Sequence, residues 1–204
     1  MLLAPGLLAV GFAIHPPEPK SGAQLLEVIS INARRWNAAH ILFCVSMVLS
    51  IPAVLGLIRL LGQRGAWFGL IGGMLTATGV VFFSTFIGVE LAMSAIASVA
   101  VEEQPRAEPA MQALVSFYGP LPAVFIGLSF NLGVVVLAIG SFITRAIPRW
   151  TSVLIAGSSL VLIGGVFSNP IGALGAALML VGLGTVGLRL LKAPLLVGSE
   201  TDRE

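Results

Sequence analysis

AWFGLIGGMLTATGVVFFSTFIGVELAMSAIASVAV, residues 66–101, carries one charged side chain, Glu90. A helix on a soluble domain needs a polar face toward water, and this stretch has none to offer. Hydrocarbon cannot hydrogen-bond a peptide group, so a segment this apolar must satisfy its own backbone, and it does so as a helix. At 1.5 Å per residue that helix is about 50 Å long, well beyond a hydrocarbon core of about 30 Å. It is therefore expected to tilt, break or project beyond the bilayer.

Similar runs lie on either side. Hydrophobic residues make up 57% of the 204-residue chain and charged residues 10%, against about 25% charged in a soluble domain. The mean hydropathy is +1.02. The expected fold is an all-α polytopic transmembrane bundle with short loops and no separate soluble domain. Six spans are expected, near 2–14, 40–61, 66–90 with an extension to 101, 121–144, 150–168 and 171–191. A polar tail follows at 192–204. The count drops to five if the first segment does not cross. Met1 to Ile14, about 21 Å as a helix, is short for a bilayer, and His15, Pro16 and Pro17 end it. It lacks the charged start and the cleavage site of a signal peptide.

Between the spans, Leu25, Leu26, Val28, Ile29 and Ile31, interrupted by Glu27 and Asn32, predict a short amphipathic helix in the interface. Met111 to Tyr118 predicts another short interfacial piece. Pro52, inside the second span, predicts a kink, with Ser46 and Ser50 placed to bond the freed carbonyl. Gly65, Gly69, Gly73 and Ala77 recur every four residues, a ridge that lets a neighbouring helix pack closely.

Basic residues set the orientation. Arg59, Arg64, Arg145, Arg149, Arg189 and Lys192 fall at one set of span ends. Lys20, Arg34, Arg35 and Arg106 fall at the other, diluted by Glu18, Glu27, Glu102, Glu103 and Glu108. The first set is expected on the cytoplasmic side of a cytoplasmic membrane, with both termini inside. Trp67 and Trp150 are expected to anchor that interface, Trp36 and Tyr118 the opposite one. Arginine in excess of lysine suggests a GC-rich bacterial genome. The formal charge of +2, scattered over helix ends, gives no stripe for nucleic acid. The lone Cys44 excludes an internal disulfide.

The candidate polar cluster is Glu90, His40, His15, Asn131 and Trp36. Ionisable groups in a membrane are costly and are functional candidates by default. The topology brings His15, His40 and Glu90 to the outer level, with Trp36 one helical turn before His40 and Asn131 midway along the fourth span. Two imidazoles and a carboxylate form a possible zinc set with an open position for water. A hydrogen bond from Glu90 to one of the histidines is the simpler expectation, and an axial haem on the two histidines the remoter one. Asn131 in its simplest role bonds across a helix interface, and Ser158 and Ser159 bond back to their own helix. No catalytic motif such as Gly-x-Ser-x-Gly, His-Glu-x-x-His or a phosphate-binding loop is present, and no cofactor is required. Three functions stay open: a non-enzymatic structural or complex subunit, a small transporter, and an outer-face metal-dependent hydrolase using His15, His40 and Glu90. The expected partners are membrane lipid and other membrane proteins or further copies of the chain.

Overall fold

A computed structural model describes residues 1–17, 22–98, 103–117 and 120–192, apart from the side chains of residues 22, 104, 105, 117, 120–127 and 192. All regular structure in the described residues is helical: α1 (Leu3–Ile14), α2 (Gly22–Leu61), α3 (Ala66–Ala97), α4 (Gln104–Phe117), α5 (Pro120–Thr144), α6 (Arg149–Ile163) and α7 (Asn169–Lys192). The chain is an all-α helical bundle, as its apolar runs require.

Six of the helices close a ring. Around it α1 packs on α2, α2 on α3, α3 on α5, α5 on α6, α6 on α7, and α7 back on α1. Each neighbour runs antiparallel to the next. The start of α1 lies against Gly187 near the end of α7, whereas His15 just past its end meets Asn169 at the start of α7. One end of the bundle thus carries His15, His40 and Glu90, and the other carries the arginines of the turns.

Those turns follow from local chemistry. Pro16 and Pro17 stop α1. Gly62 takes φ +55 between α2 and α3, a left-handed conformation that glycine adopts without cost. Arg145 takes φ +58 after α5, and the amide of Ala146 closes back on the Ser141 carbonyl at 3.1 Å. That is the Schellman pattern with arginine in the position usually given to glycine. Pro148 then opens α6, its carbonyl receiving the amides of Thr151 and Ser152.

Ala23–Leu61, Gln63–Ala97, Arg149–Val166 and Asn169–Leu191 are long and apolar enough to cross a membrane. Leu3–Ile14 is a shorter apolar helix, α1 being only about 18 Å long. Large apolar side chains face outward around the ring, among them Ile41, Leu55, Val81, Val153, Leu160 and Val181, while Ser46, Thr76, Ser141, Thr151, Ser158 and Ser159 are buried inside. Apolar side chains such as Phe43, Leu57, Ile87 and Ile155 also fill the core, so the helices are apolar on both faces, which is compatible with insertion in a membrane.

Several expectations change in the structure. The amphipathic segment is not a separate interfacial helix: it is the first arm of α2, joined at Asn32, whose φ −113 and ψ 22 depart from helical values. Leu26 and Ile29 on this arm are buried against Trp36, Met93, Ala97 and Met111, which holds it to the bundle. Pro52 lies inside α2, where Ser46 bonds the Ala4 carbonyl of α1 at 2.7 Å and Ser50 bonds the Met47 carbonyl, neither of them the carbonyl four residues before the proline. α3 does not break. α4 begins at Gln104, earlier than expected, and packs on the protruding end of α3 and on α2. Lys20, Glu18, Glu102, Tyr118 and the tail beyond residue 192 lie outside the described residues.

The Gly65, Gly69, Gly73 ridge packs side chain into glycine: a Cβ at Gly65 would meet Leu61, and at Gly69 or Gly73 it would meet Ile58. The closest backbone approach is elsewhere, between α3 and α5. A Cβ on Gly79 would fall on the Phe130 backbone, and one on Gly133 on Thr76 and the Gly72 carbonyl.

Candidate functional site

The histidine end of the ring is built by three helices. α1 delivers His15 one residue past its last turn. The second arm of α2 delivers Trp36 and His40, four residues apart and so on one face. α3 delivers Glu90 from its far half. His40 and Trp36 are 0% and 1% exposed, and the Glu90 side chain is 13% exposed.

His40 Nε2 and Glu90 Oε2 are 2.7 Å apart, the only ion-pair contact among the described residues. The other ring nitrogen, Nδ1, lies 2.7 Å from the Trp36 carbonyl oxygen. A carbonyl only accepts, so Nδ1 carries a proton. One further proton must then lie between Nε2 and the carboxylate, because two lone pairs do not approach to 2.7 Å. The pair is either imidazolium with carboxylate or imidazole with carboxylic acid, and each form holds the same number of protons. Trp36 Nε1 donates to the Glu90 backbone carbonyl at 2.9 Å, a second tie between α2 and α3.

His15 sits beside this pair without bonding to it. Its ring centroid is 5.0 Å from those of Trp36 and His40 and 5.9 Å from that of Phe43, and the Trp36 and His40 rings are 4.6 Å apart. Its Nδ1 donates to the Pro16 carbonyl at 2.6 Å. Burial, and then the neighbouring imidazole of His40, push its pKa down from 6.5 to about 4, against the bond to Pro16 and with a smaller contribution from Arg35. The carbonyls at the end of α1 and just past it, which have no partner within that helix, are taken up from other helices. Arg35 donates to the Ile14 carbonyl at 3.2 Å, and Asn169 to those of His15 and Pro16 at 3.1 and 3.3 Å.

Four of the five expected cluster residues therefore meet. Their roles differ from the zinc arrangement. Among the described residues no three His, Cys, Asp or Glu side chains are placed to hold a metal. The physical reason is visible at His40, whose two nitrogens face the Trp36 carbonyl and Glu90, and at His15, whose Nδ1 is turned to Pro16. Trp36 is not an interface anchor, being buried and hydrogen-bonded within the cluster; Trp67 and Trp150, at 73% and 54% exposed, are open at the arginine end. Asn131 is absent from the cluster. Its Oδ1 accepts from Ser159 at 3.1 Å across the α5–α6 interface, so Ser159 reaches to α5 while Ser158 bonds back to Ile155. Asn169 and Arg35, which the sequence reading missed, complete the site. Asn169, at the start of the last helix beside Pro170, was the one available signal.

A second feature is an apolar groove of about 590 Å³ between α2 and α3, bordered by Val54, Ile58, Gly69, Gly73 and Ala77, with Arg59 at one end. Site and groove are what the chain itself offers, and function must be argued from such sites. Compared with known proteins, the chain matches no protein-family model, no curated protein and no solved structure.

Proposed function

We propose that this chain is a multi-pass protein of a bacterial cytoplasmic membrane, with both termini and the arginine end on the cytoplasmic side. In this reading it is a non-enzymatic subunit of a membrane assembly. The observation that carries the reading is how the bundle disposes of its polar groups. Trp36, His40, Ser46, Asn131, Ser159 and Asn169 bond to groups of this chain, while the buried hydroxyls of Ser141, Thr151 and Ser152 have no partner among the described residues. Its outward faces are aliphatic, and the groove between α2 and α3 is apolar and bordered by small residues. Helices associate in lipid through close packing at such surfaces.

The His40–Glu90 pair is then a structural staple holding one proton. It joins α2 to α3. A transporter would want a polar cavity at mid-depth with broken helices. Asn131 and Ser159 bond to each other across the α5–α6 interface. A hydrolase would want the open metal position described for zinc enzymes, and the imidazole nitrogens of His40 are committed to protein oxygens.

Native mass spectrometry after extraction in mild detergent tests the proposal. A defined homo-oligomer or stoichiometric complex is expected. A lone monomer at every detergent concentration contradicts the subunit role.

A further inference from the structure

The turn between α5 and α6 and the end of α7 enclose a concavity of about 500 Å³ walled by Arg145, Arg149 and Arg189, with Ala146, Ile147 and Pro148 between them. We propose that this concavity binds the phosphate of an anionic phospholipid. The inference rests on the membrane reading above and adds a ligand to it.

Three observations support it. The three guanidiniums border one hollow, and among the described residues no carboxylate pairs with any of them. Their mutual repulsion calls for an anion, and the fork of N–H donors on arginine matches phosphate oxygens. Second, the backbone of one and the side chain of another are constrained. Arg145 occupies the left-handed position of the α5 cap, where a residue other than glycine is disfavoured. Arg149 lies 5.2 Å from the centre of the Phe142 ring, which steadies it by cation–π attraction. Third, the surface just beside the hollow is apolar and open: Ile143, Trp150 and Leu188 are all exposed. A free phosphate has no use for that border. A lipid does, with its headgroup on the arginines and its chains along α5, α6 and α7.

General attraction of basic ends to the inner leaflet is the competing explanation. It predicts that any two or three arginines at this end of the bundle count equally. The purified protein in non-ionic detergent is titrated with phosphatidylglycerol, phosphatidylcholine and inorganic phosphate, and adducts are counted by native mass spectrometry. Wild type is expected to hold phosphatidylglycerol at least about tenfold more tightly than phosphatidylcholine, a margin in reach of charge-assisted contacts. Arg145→Gln/Arg149→Gln/Arg189→Gln is expected to lose that margin, and Arg59→Gln/Arg64→Gln to keep it. Arg189→Gln alone, with the α5–α6 turn untouched, is expected to weaken it severalfold, so the test survives a misfolded triple variant. Equal binding of the two lipids by wild type, an equal loss in the Arg59/Arg64 variant, or displacement of the lipid by millimolar phosphate overturns the site. Extraction of the protein from membranes by alkaline carbonate alone would instead sink the membrane reading, a failure distinguishable from loss of headgroup preference.

Discussion

His40 is held by Trp36 and Glu90 together, one through each ring nitrogen. Glu90→Gln preserves that arrangement without the shared proton, since the amide of glutamine donates to the Nε2 lone pair. It is expected to cost less than about 1 kcal/mol, the usual worth of an interhelical hydrogen bond in lipid. His40→Ala leaves the Glu90 carboxylate without its partner and is expected to cost about 2–3 kcal/mol; reversible unfolding in mixed micelles separates the two. If Glu90→Gln proves the more damaging, the pair is more than a staple. His15 gives a pH signature. Its ring takes a proton below 6.5 when unfolded and only below about 4 when folded. Between those values the unfolded chain binds more protons, so stability is full above 6.5 and falls as pH drops toward 4. His15→Phe keeps the ring stack and is expected to flatten this part of the melting-temperature profile. An unchanged slope would show that His15 is not the titrating group. This cluster was partly legible in the sequence, because antiparallel helices bring the end of α1, the second arm of α2 and the far half of α3 to one level. The roles of its members were not, since which nitrogen faces which oxygen depends on helix rotation.

Among elements, the α3–α5 interface shows why sequence spacing alone misleads. Two glycine ridges run along α3, at Gly65, Gly69 and Gly73 and at Gly72 and Gly79, and spacing makes them equivalent. Only the partner helix distinguishes them: the first receives side chains of α2, the second the backbone of α5. Gly79→Ala is expected to lower the melting temperature in detergent markedly, with a cost of about 2–3 kcal/mol, because a main chain cannot step aside as a side chain can. Gly88→Ala, on the same helix with open space around it, is expected to be neutral or stabilising by up to about 1 kcal/mol. Equal effects at both sites would deny the close approach. Helix boundaries were legible wherever a proline or a charged turn interrupts an apolar run, as at Pro16 and Pro148. The first arm of α2 was not, because its apolar spacing fits an interfacial helix as well as one that docks on α4.

For the whole molecule, the order of the ring follows from short antiparallel connections, but its closure through α1 does not. α1 is too short to span alone, and it fits between α2 and α7 because glycines there accept its side chains. Phe12 reaches Gly165 and Gly172, Leu2 reaches Gly184, and Met1 reaches Gly56 and Gly187. The sequence displays those glycines without saying which side chain each one receives. The entire account rests on the ring's outer surface facing hydrocarbon. Spin labels at Leu55, Val81, Leu160 and Val181, each exposed and each on a different helix, read this surface directly in a reconstituted bilayer after Cys44→Ser. The account predicts frequent collision with dissolved oxygen and little with a water-soluble nickel chelate at all four positions. Ready access of the nickel chelate to these labels would contradict it.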